Sequence, residues 1–148
     1  QLPVLAQLYP DAHYVHIVRD GRDVALSLAL TRGDDADLGD AAREWVEAVS
    51  AIRAAADGLP RFQQVRYEDL LADPTAVATE LWSWIGVPAT DQSMAELQSR
   101  TSQRVTPLPA RGEIGAGKWR SLPPADRALV EQLAGPLLQD LGYEEVGS

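Results

Sequence analysis

The residues best suited to chemistry are an arginine and a serine eight positions apart. Arg19 ends a short apolar run that predicts a β-strand, and Ser27 lies on the helix predicted next. A guanidinium group presents a planar fork of N–H donors that suits phosphate oxygens, and a hydroxyl can donate to the same phosphate. In open α/β sheets, ligands bind beyond the carboxyl ends of strands, and a helix N-terminus adds N–H groups there. The spacing therefore predicts a phosphate-binding site at this strand end.

Both residues also have ordinary interpretations. Arg19 could pair with Asp20 or Asp23, and Ser27 could hydrogen-bond to a carbonyl of its own helix. We favour phosphate binding for both, because the surrounding pattern places them at one strand end. Arg22 is expected to face solvent in the first helical turn.

A basic segment near the C-terminus is the second candidate for anion binding. The chain has a formal net charge of −9, which argues against non-specific nucleic-acid binding. Residues 100–120 reverse this sign with five basic residues against the single acid Glu113: Arg100, Arg104, Arg111, Lys118 and Arg120. The segment shows no periodicity and predicts a long loop, a kind of segment that is usually functional or disordered. The cations favour a local anion site, with a solvated loop as the alternative.

The elements that must position these residues read as an α/β arrangement. Residues 12–18 and 62–67 predict strands. Apolar periodicity predicts five helices: one from about residue 22, one over 42–56, one after the cap Asp73, one over 91–99, and one from residue 123 or 124 to Gly142. Pro136 should kink the last of them. The predicted inward faces of the third and last helices are Ala78, Leu81, Trp82 and Ile85, and Leu129, Val130, Leu133, Leu137, Leu138 and Leu141. Two strands cannot form a stable covered sheet. We therefore expect further strands upstream of Gln1.

Three blocks, in order, resemble the sulfotransferases that use PAPS (3′-phosphoadenosine 5′-phosphosulfate). Residues 9–27, from Tyr-Pro-Asp-Ala to Arg-Asp-Gly-Arg-Asp-Val-Ala-Leu-Ser, resemble the 3′-phosphate-binding element of that family. Residues 65–74 resemble its strand-to-helix element, and residues 117–120 (Gly-Lys-Trp-Arg) resemble its closing Gly-x-Trp block. The resemblance implies a P-loop NTPase-like sulfotransferase fold. Residues 1–148 would be the C-terminal part of a single domain, holding the later part of a parallel sheet flanked by helices.

The same resemblance implies the cofactor-binding residues. It assigns Arg19 and Ser27 to the 3′-phosphate and Tyr67 to the adenine. The family's Arg-Lys-Gly-x-x-Gly-x-Trp loop has Gly112 at its arginine position, so three neighbours are candidates for that role: Arg111, Lys118 and Arg120. The glycine-rich loop for the 5′-phosphosulfate and the His or Glu base of the family have no counterpart in this sequence, and the catalytic residues stay unknown.

The implied activity is sulfuryl transfer from PAPS to a hydroxyl or amine of a small-molecule or carbohydrate acceptor, completed by the upstream part of the same protein. A non-catalytic sulfotransferase-like module that binds a nucleotide or a partner is the alternative. No metal-ligand spacing and no apolar run of membrane-spanning length occurs, so we expect neither a metal nor a membrane span. The absence of cysteine favours a cytoplasmic location. His16 alternates within a strand and is interpreted as structural, and Glu68 as a helix cap or dipole partner.

Overall fold

The computed structural model describes residues 2–33, 37–102 and 116–143. In chain order its elements are α1 (Leu2–Leu8), β1 (Tyr14–Val18), α2 (Gly21–Arg32), α3 (Leu38–Ala56), β2 (Phe62–Arg66), α4 (Tyr67–Ala72), α5 (Pro74–Ile85), α6 (Asp91–Ser102), a 3₁₀ turn (Lys118–Ser121) and α7 (Pro124–Asp140). The two strands pair in parallel, from Tyr14 beside Phe62 to Val18 beside Arg66. The α/β class predicted from the sequence is confirmed.

The parallel pairing brings the ends of the two strands together. Parallel strands need a long crossover connection, which α2 and α3 provide between β1 and β2. The register pairs Val18 with Arg66 at the carboxyl edge. The residues that follow, Arg19 and Tyr67, are therefore placed at the same edge of the sheet.

The core lies between α2, α3 and α7, under the end of β1. Its buried members are Val18, Ala25, Ala41, Ala42, Trp45, Val49, Val130, Ala134, Leu138, Leu141 and Tyr143. Gly21 allows α2 to begin directly on this core, because a Cβ there would lie 2.5 Å from Cε3 of Trp45. Only a residue without a side chain permits that approach.

Most predicted helices are confirmed, with differences at their ends. Asp73 caps α5 by accepting the Ala76 N–H at 2.9 Å, and Gly86 ends it in the left-handed conformation with φ 78°. β2 ends one residue earlier than predicted, because Tyr67 begins the short helix α4. The predicted loop over 100–120 is wrong at both ends, where residues 100–102 continue α6 and residues 118–121 form the 3₁₀ turn. Residues 103–115 lie outside the described residues.

Two predicted inward faces differ from the structure. In α7, Leu129 is 36% exposed, whereas Ala134 and Gly135 are buried. Small residues thus form part of the buried face of this helix, which the spacing of large apolar residues does not indicate. No residue of α5 is fully buried, and Ile17 on β1 is 54% exposed. A two-stranded sheet covers too little surface to bury these side chains.

Candidate functional site

The first part of the candidate site lies at the carboxyl end of β1. Arg19 follows the last strand residue, and its side chain is 28% exposed. Its guanidinium carbon lies over the ring of Tyr67, 5.1 Å from the ring centroid. This is the geometry of a cation–π contact. Two residues that the sequence assigned to one cofactor are thus in contact, although 48 positions separate them.

A cavity of about 440 Å³ opens beside Arg19. Its lining residues are Arg19, Asp23, Leu26, Ser27, Leu30, Thr31 and Lys118. Its volume is within the range of small-molecule binding sites. Three of the six predicted cofactor-binding residues, Arg19, Ser27 and Lys118, therefore line a single cavity.

Ser27 contributes to this cavity from the middle of α2. It is the seventh residue of that helix, about 9 Å along the axis from the first, so it lies nearly two turns in. Thr31 Oγ1 donates to the Ser27 carbonyl at 2.9 Å, a contact that uses the Ser27 backbone and not its hydroxyl. The N-terminus of α2 offers fewer unpaired N–H groups to a phosphate than expected, because Asp20 Oδ1 already accepts the Arg22 N–H at 2.9 Å.

Lys118 reaches the cavity because a buried carboxylate holds the 3₁₀ turn against α2. Asp23 Oδ2 accepts the N–H of Gly117 at 2.6 Å, and Oδ1 accepts that of Trp119 at 2.9 Å. Gly117 adopts φ 82°, a left-handed conformation that glycine tolerates best. Arg19 Nη2 lies 3.8 Å from Asp23 Oδ2, so the pairing considered as an alternative for Arg19 is present as a long contact.

The expectation that Arg22 faces solvent is wrong. This residue is 3% exposed. Its Nη2 lies 2.8 Å from Asp20 Oδ2, its Nη1 lies 3.3 Å from Glu131 Oε2, and its guanidinium stacks 3.9 Å from the Trp119 ring centroid. Burial alone would lower the pKa of Arg22, but the hydrogen bond to Asp20 and the two carboxylate charges raise it. The 3₁₀ turn and α7 cover the first turn of α2, which periodicity within α2 could not reveal.

Arg120 lines a second cavity, of about 290 Å³, whose walls are Asp20, Arg22, Arg66, Glu68, Ala116, Gly117, Arg120, Gly142 and Tyr143. The guanidinium of Arg120 lies 4.7 Å from the Trp119 ring centroid. Arg120 is therefore not among the residues that line the cavity with Ser27, and Arg111 lies outside the described residues. Both assignments stay predictions.

Glu68 and Tyr143 line this second cavity and are hydrogen-bonded to each other. Glu68 Oε1 accepts the Asp20 N–H at 3.0 Å, and Oε2 accepts the Tyr143 hydroxyl at 2.9 Å. Burial, followed by the hydrogen bond to Glu68, raises the pKa of Tyr143 above its ordinary value. Glu68 was interpreted as a cap, and its tie to Tyr143 was missed because no local pattern links residues 75 positions apart.

The two histidines lie apart from the cavity that Arg19 and Ser27 line. His16 is part of β1, with its ring centroid 6.3 Å from that of Phe62. Burial lowers the pKa of His16 below 6.5, and a hydrogen bond to Gln64 opposes this shift without reversing it. His13 contacts Trp84 edge-on at 4.7 Å. Across residues 2–33, 37–102 and 116–143, no cluster of three or more His, Cys, Asp or Glu side chains is arranged to hold a metal ion.

Comparison with known proteins gives one family. A family model described as "Sulfotransferase family" matches residues 1–91. Carbohydrate sulfotransferase 5 of Mus musculus is 31% identical over 179 aligned residues, which cover 99% of this chain and 45% of the mouse protein. Protein-tyrosine sulfotransferase A of Caenorhabditis elegans is 24% identical, covering 95% of this chain and 41% of the relative. The chain thus spans less than half the length of either relative. None of the helices in the described part of the chain has the length and apolar character needed to cross a membrane.

Proposed function

The chain belongs to the sulfotransferase family, and from that membership we propose that it supplies the 3′-phosphate and adenine side of a PAPS site. The parent protein transfers a sulfuryl group from PAPS to a hydroxyl or amine acceptor. Residues 1–148 form the C-terminal part of its sulfotransferase domain, and the remaining parts of the sheet and of the site belong to upstream sequence.

One observation carries the proposal. Arg19 at a strand end, Ser27 in the middle of α2 and Lys118 in the 3₁₀ turn line a single cavity. Two cations and a hydroxyl are a suitable set of donors for a phosphate monoester. Lys118 is separated from Ser27 by most of the chain, so helix periodicity alone does not bring these residues together.

The charges around the cavity fit an anionic group. Among the described residues that line this cavity, Asp23 is the only carboxylate, and both of its oxygens accept backbone N–H groups. Those bonds satisfy its charge, so it opposes a bound phosphate less than a solvent-facing carboxylate would. Tyr67 lies beside Arg19, with its ring centroid 5.1 Å from the guanidinium carbon, and we propose that its ring contacts the adenine.

The reaction defines what this part of the site contributes. The bond between sulfur and the phosphate oxygen breaks, a bond from sulfur to the acceptor oxygen or nitrogen forms, and the acceptor gives up a proton. The leaving group is adenosine 3′,5′-bisphosphate. Binding its 3′-phosphate fixes the cofactor at a point remote from sulfur and so orients the bond that breaks. Cations at the leaving phosphate and a base for the acceptor come from upstream sequence. We therefore propose that this chain alone transfers no sulfate, because preorganised electrostatics is usually the largest catalytic term.

The acceptor is proposed as a small molecule or a carbohydrate. The names of the two relatives refer to a carbohydrate and to protein tyrosine, and both carry hydroxyl groups. A cytoplasmic location stays a prediction based on the absence of cysteine.

Substitution of Arg19 tests the cofactor assignment. In the full-length protein, Arg19→Ala should weaken binding of adenosine 3′,5′-bisphosphate roughly ten- to a hundredfold, because one charge-assisted phosphate contact is lost. Isothermal titration calorimetry measures this. The matched control is Arg43→Ala, which removes an exposed arginine of α3 and should leave the affinity unchanged.

Sulfate transfer from radiolabelled PAPS to a panel of acceptors then separates an enzyme from a non-catalytic module. Turnover by the full-length protein, with none from residues 1–148 alone, is the expected result. A full-length protein that binds the bisphosphate but never turns over would support the module. Unchanged affinity in Arg19→Ala would refute the assignment of the site.

A further inference from the structure

Asp23 is a buried carboxylate beside a site proposed for an anion. Its side chain is 0% exposed, and it forms part of the wall behind Arg19, Ser27 and Lys118. A like charge near a phosphate lowers the affinity for it, so a carboxylate at this position suggests a second role that offsets the cost. Its hydrogen bonds show what that role is.

Asp23 connects α2 to a turn from the far end of the described chain. The two N–H groups that it accepts, at 2.6 Å and 2.9 Å, belong to Gly117 and Trp119, 94 and 96 positions later. These two residues flank Lys118, so the backbone of Lys118 is fixed on both sides. Hydrogen bonds to a charged acceptor are stronger than those between neutral groups, and the bond from Trp119 is in addition buried away from water.

The same carboxylate faces Arg19. Arg19 Nη2 lies 3.8 Å from Asp23 Oδ2, the oxygen that also accepts the Gly117 N–H. At this distance the charges attract and orient the guanidinium without a short hydrogen bond. One oxygen atom therefore lies between the strand-end cation and the turn that carries the second cation.

We propose that Asp23 is a positioning residue for the 3′-phosphate site: its carboxylate holds Lys118 and orients Arg19 toward the same cavity. This inference rests on the proposed function and adds to it. Asp23 touches neither the phosphate nor the reacting atoms, and it acts on the ligand only through the two cations.

A double-mutant cycle distinguishes positioning from general structural support. Dissociation constants for adenosine 3′,5′-bisphosphate are measured by calorimetry on the full-length protein and on Asp23→Ala, Lys118→Ala and the double variant. Each single substitution should weaken binding roughly tenfold, the effect of losing one phosphate contact. The double variant should lose clearly less than the hundredfold expected for independent residues, because Asp23 acts in part through Lys118. A full hundredfold loss, or unchanged affinity in Asp23→Ala, would overturn the proposal.

A variant of milder effect covers the case in which Asp23→Ala does not fold. Asp23→Asn keeps the shape of the side chain and one carbonyl acceptor, and it should still weaken binding. Trp119→Phe is the structural control, since it disturbs the packing of the same turn under Arg22 but keeps the backbone N–H that Asp23 accepts. It should lower thermal stability while retaining affinity. Equal losses of affinity in these two variants, at equal melting temperature, would make Asp23 an ordinary structural residue and refute the positioning role.

The outcomes also separate this inference from the proposed function. If the wild type binds the bisphosphate and Arg19→Ala weakens it, the cofactor assignment stands whatever the cycle shows. An additive cycle then refutes only the role of Asp23. A full-length wild type without any affinity for the bisphosphate refutes both.

Discussion

The ends of the two parallel strands lie side by side, yet the charged residues after them have different surroundings. After β1, Arg19 faces a cavity of about 440 Å³ together with Ser27 and Lys118. Near the end of β2, Glu68 accepts hydrogen bonds from Asp20 and Tyr143, and Arg66 Nη1 donates to the Gly142 carbonyl at 2.9 Å. The first end presents cations to a ligand-sized space, whereas the second uses its charged groups to join segments of the protein.

The difference shows that charge alone does not identify a binding residue. Arg19 and Arg22 stand three positions apart in one motif, but Arg22 is buried against Asp20, Glu131 and Trp119. Removing one partner of such a buried ion pair lowers the free energy of unfolding, because the other charge stays buried without compensation. Arg19, whose side chain is 28% exposed and lines the cavity with Ser27 and Lys118, is the candidate for ligand binding.

The largest effect on stability should come from breaking the buried ion pair between Asp20 and Arg22. Asp20→Ala takes from the buried guanidinium of Arg22 the nearer of its two carboxylate partners, Asp20 and Glu131, and removes the cap of α2. We expect a loss of about 3–5 kcal/mol in the free energy of unfolding, measured by urea denaturation of the full-length protein. Asp40→Ala, which removes an exposed carboxylate paired with Arg43, is the control and should cost less than about 1 kcal/mol. Similar costs for the two variants would contradict the assignment of Asp20 as a structural residue.

Glu68→Gln should have an intermediate effect and should sharpen the contrast between the two strand ends. It removes one of the two carboxylate acceptors that join Asp20 and Tyr143. The free energy of unfolding should fall by about 1–3 kcal/mol, since a buried hydrogen bond is lost. Affinity for adenosine 3′,5′-bisphosphate should stay within roughly twofold, as expected for a residue with no phosphate contact. A tenfold loss of affinity at unchanged stability would place Glu68 in the binding site instead.

The smallest effect concerns His16, away from both strand ends. Burial lowers its pKa below 6.5. The unfolded chain then binds a proton at a higher pH than the folded protein does, so this histidine contributes its full stability above pH 6.5 and loses it as the pH falls through and below that value. Chemical denaturation at a series of pH values measures how the free energy of unfolding changes with pH, and His16→Gln should reduce that change. Loss of sulfate transfer in His16→Gln at full stability would instead indicate a catalytic role.

Short-range features of the sequence predicted the main parts of the site. The apolar run before Arg19 and the cap Asp73 each act within a few residues, and the structure has a strand and a helix where they predicted them. The positions of Arg19 at a strand end and of Ser27 on the next helix follow from these local preferences. The basic character of the segment that includes Lys118 could also be read directly from composition.

The tertiary structure decided which of these charged residues face the cavity that Ser27 lines. Packing of the 3₁₀ turn and α7 onto α2 buries Arg22 and brings the N–H groups of Gly117 and Trp119 to Asp23. The hydrogen bond between Glu68 and Tyr143 likewise joins α4 to the residues after α7. These contacts join residues 75 to 109 positions apart. No periodicity within one element encodes such contacts, because periodicity reports only the face that an element buries and not the residue that meets it. The sequence therefore determined the types of group available for phosphate binding, and packing determined that Arg19, Ser27 and Lys118 share one cavity while Arg22 does not.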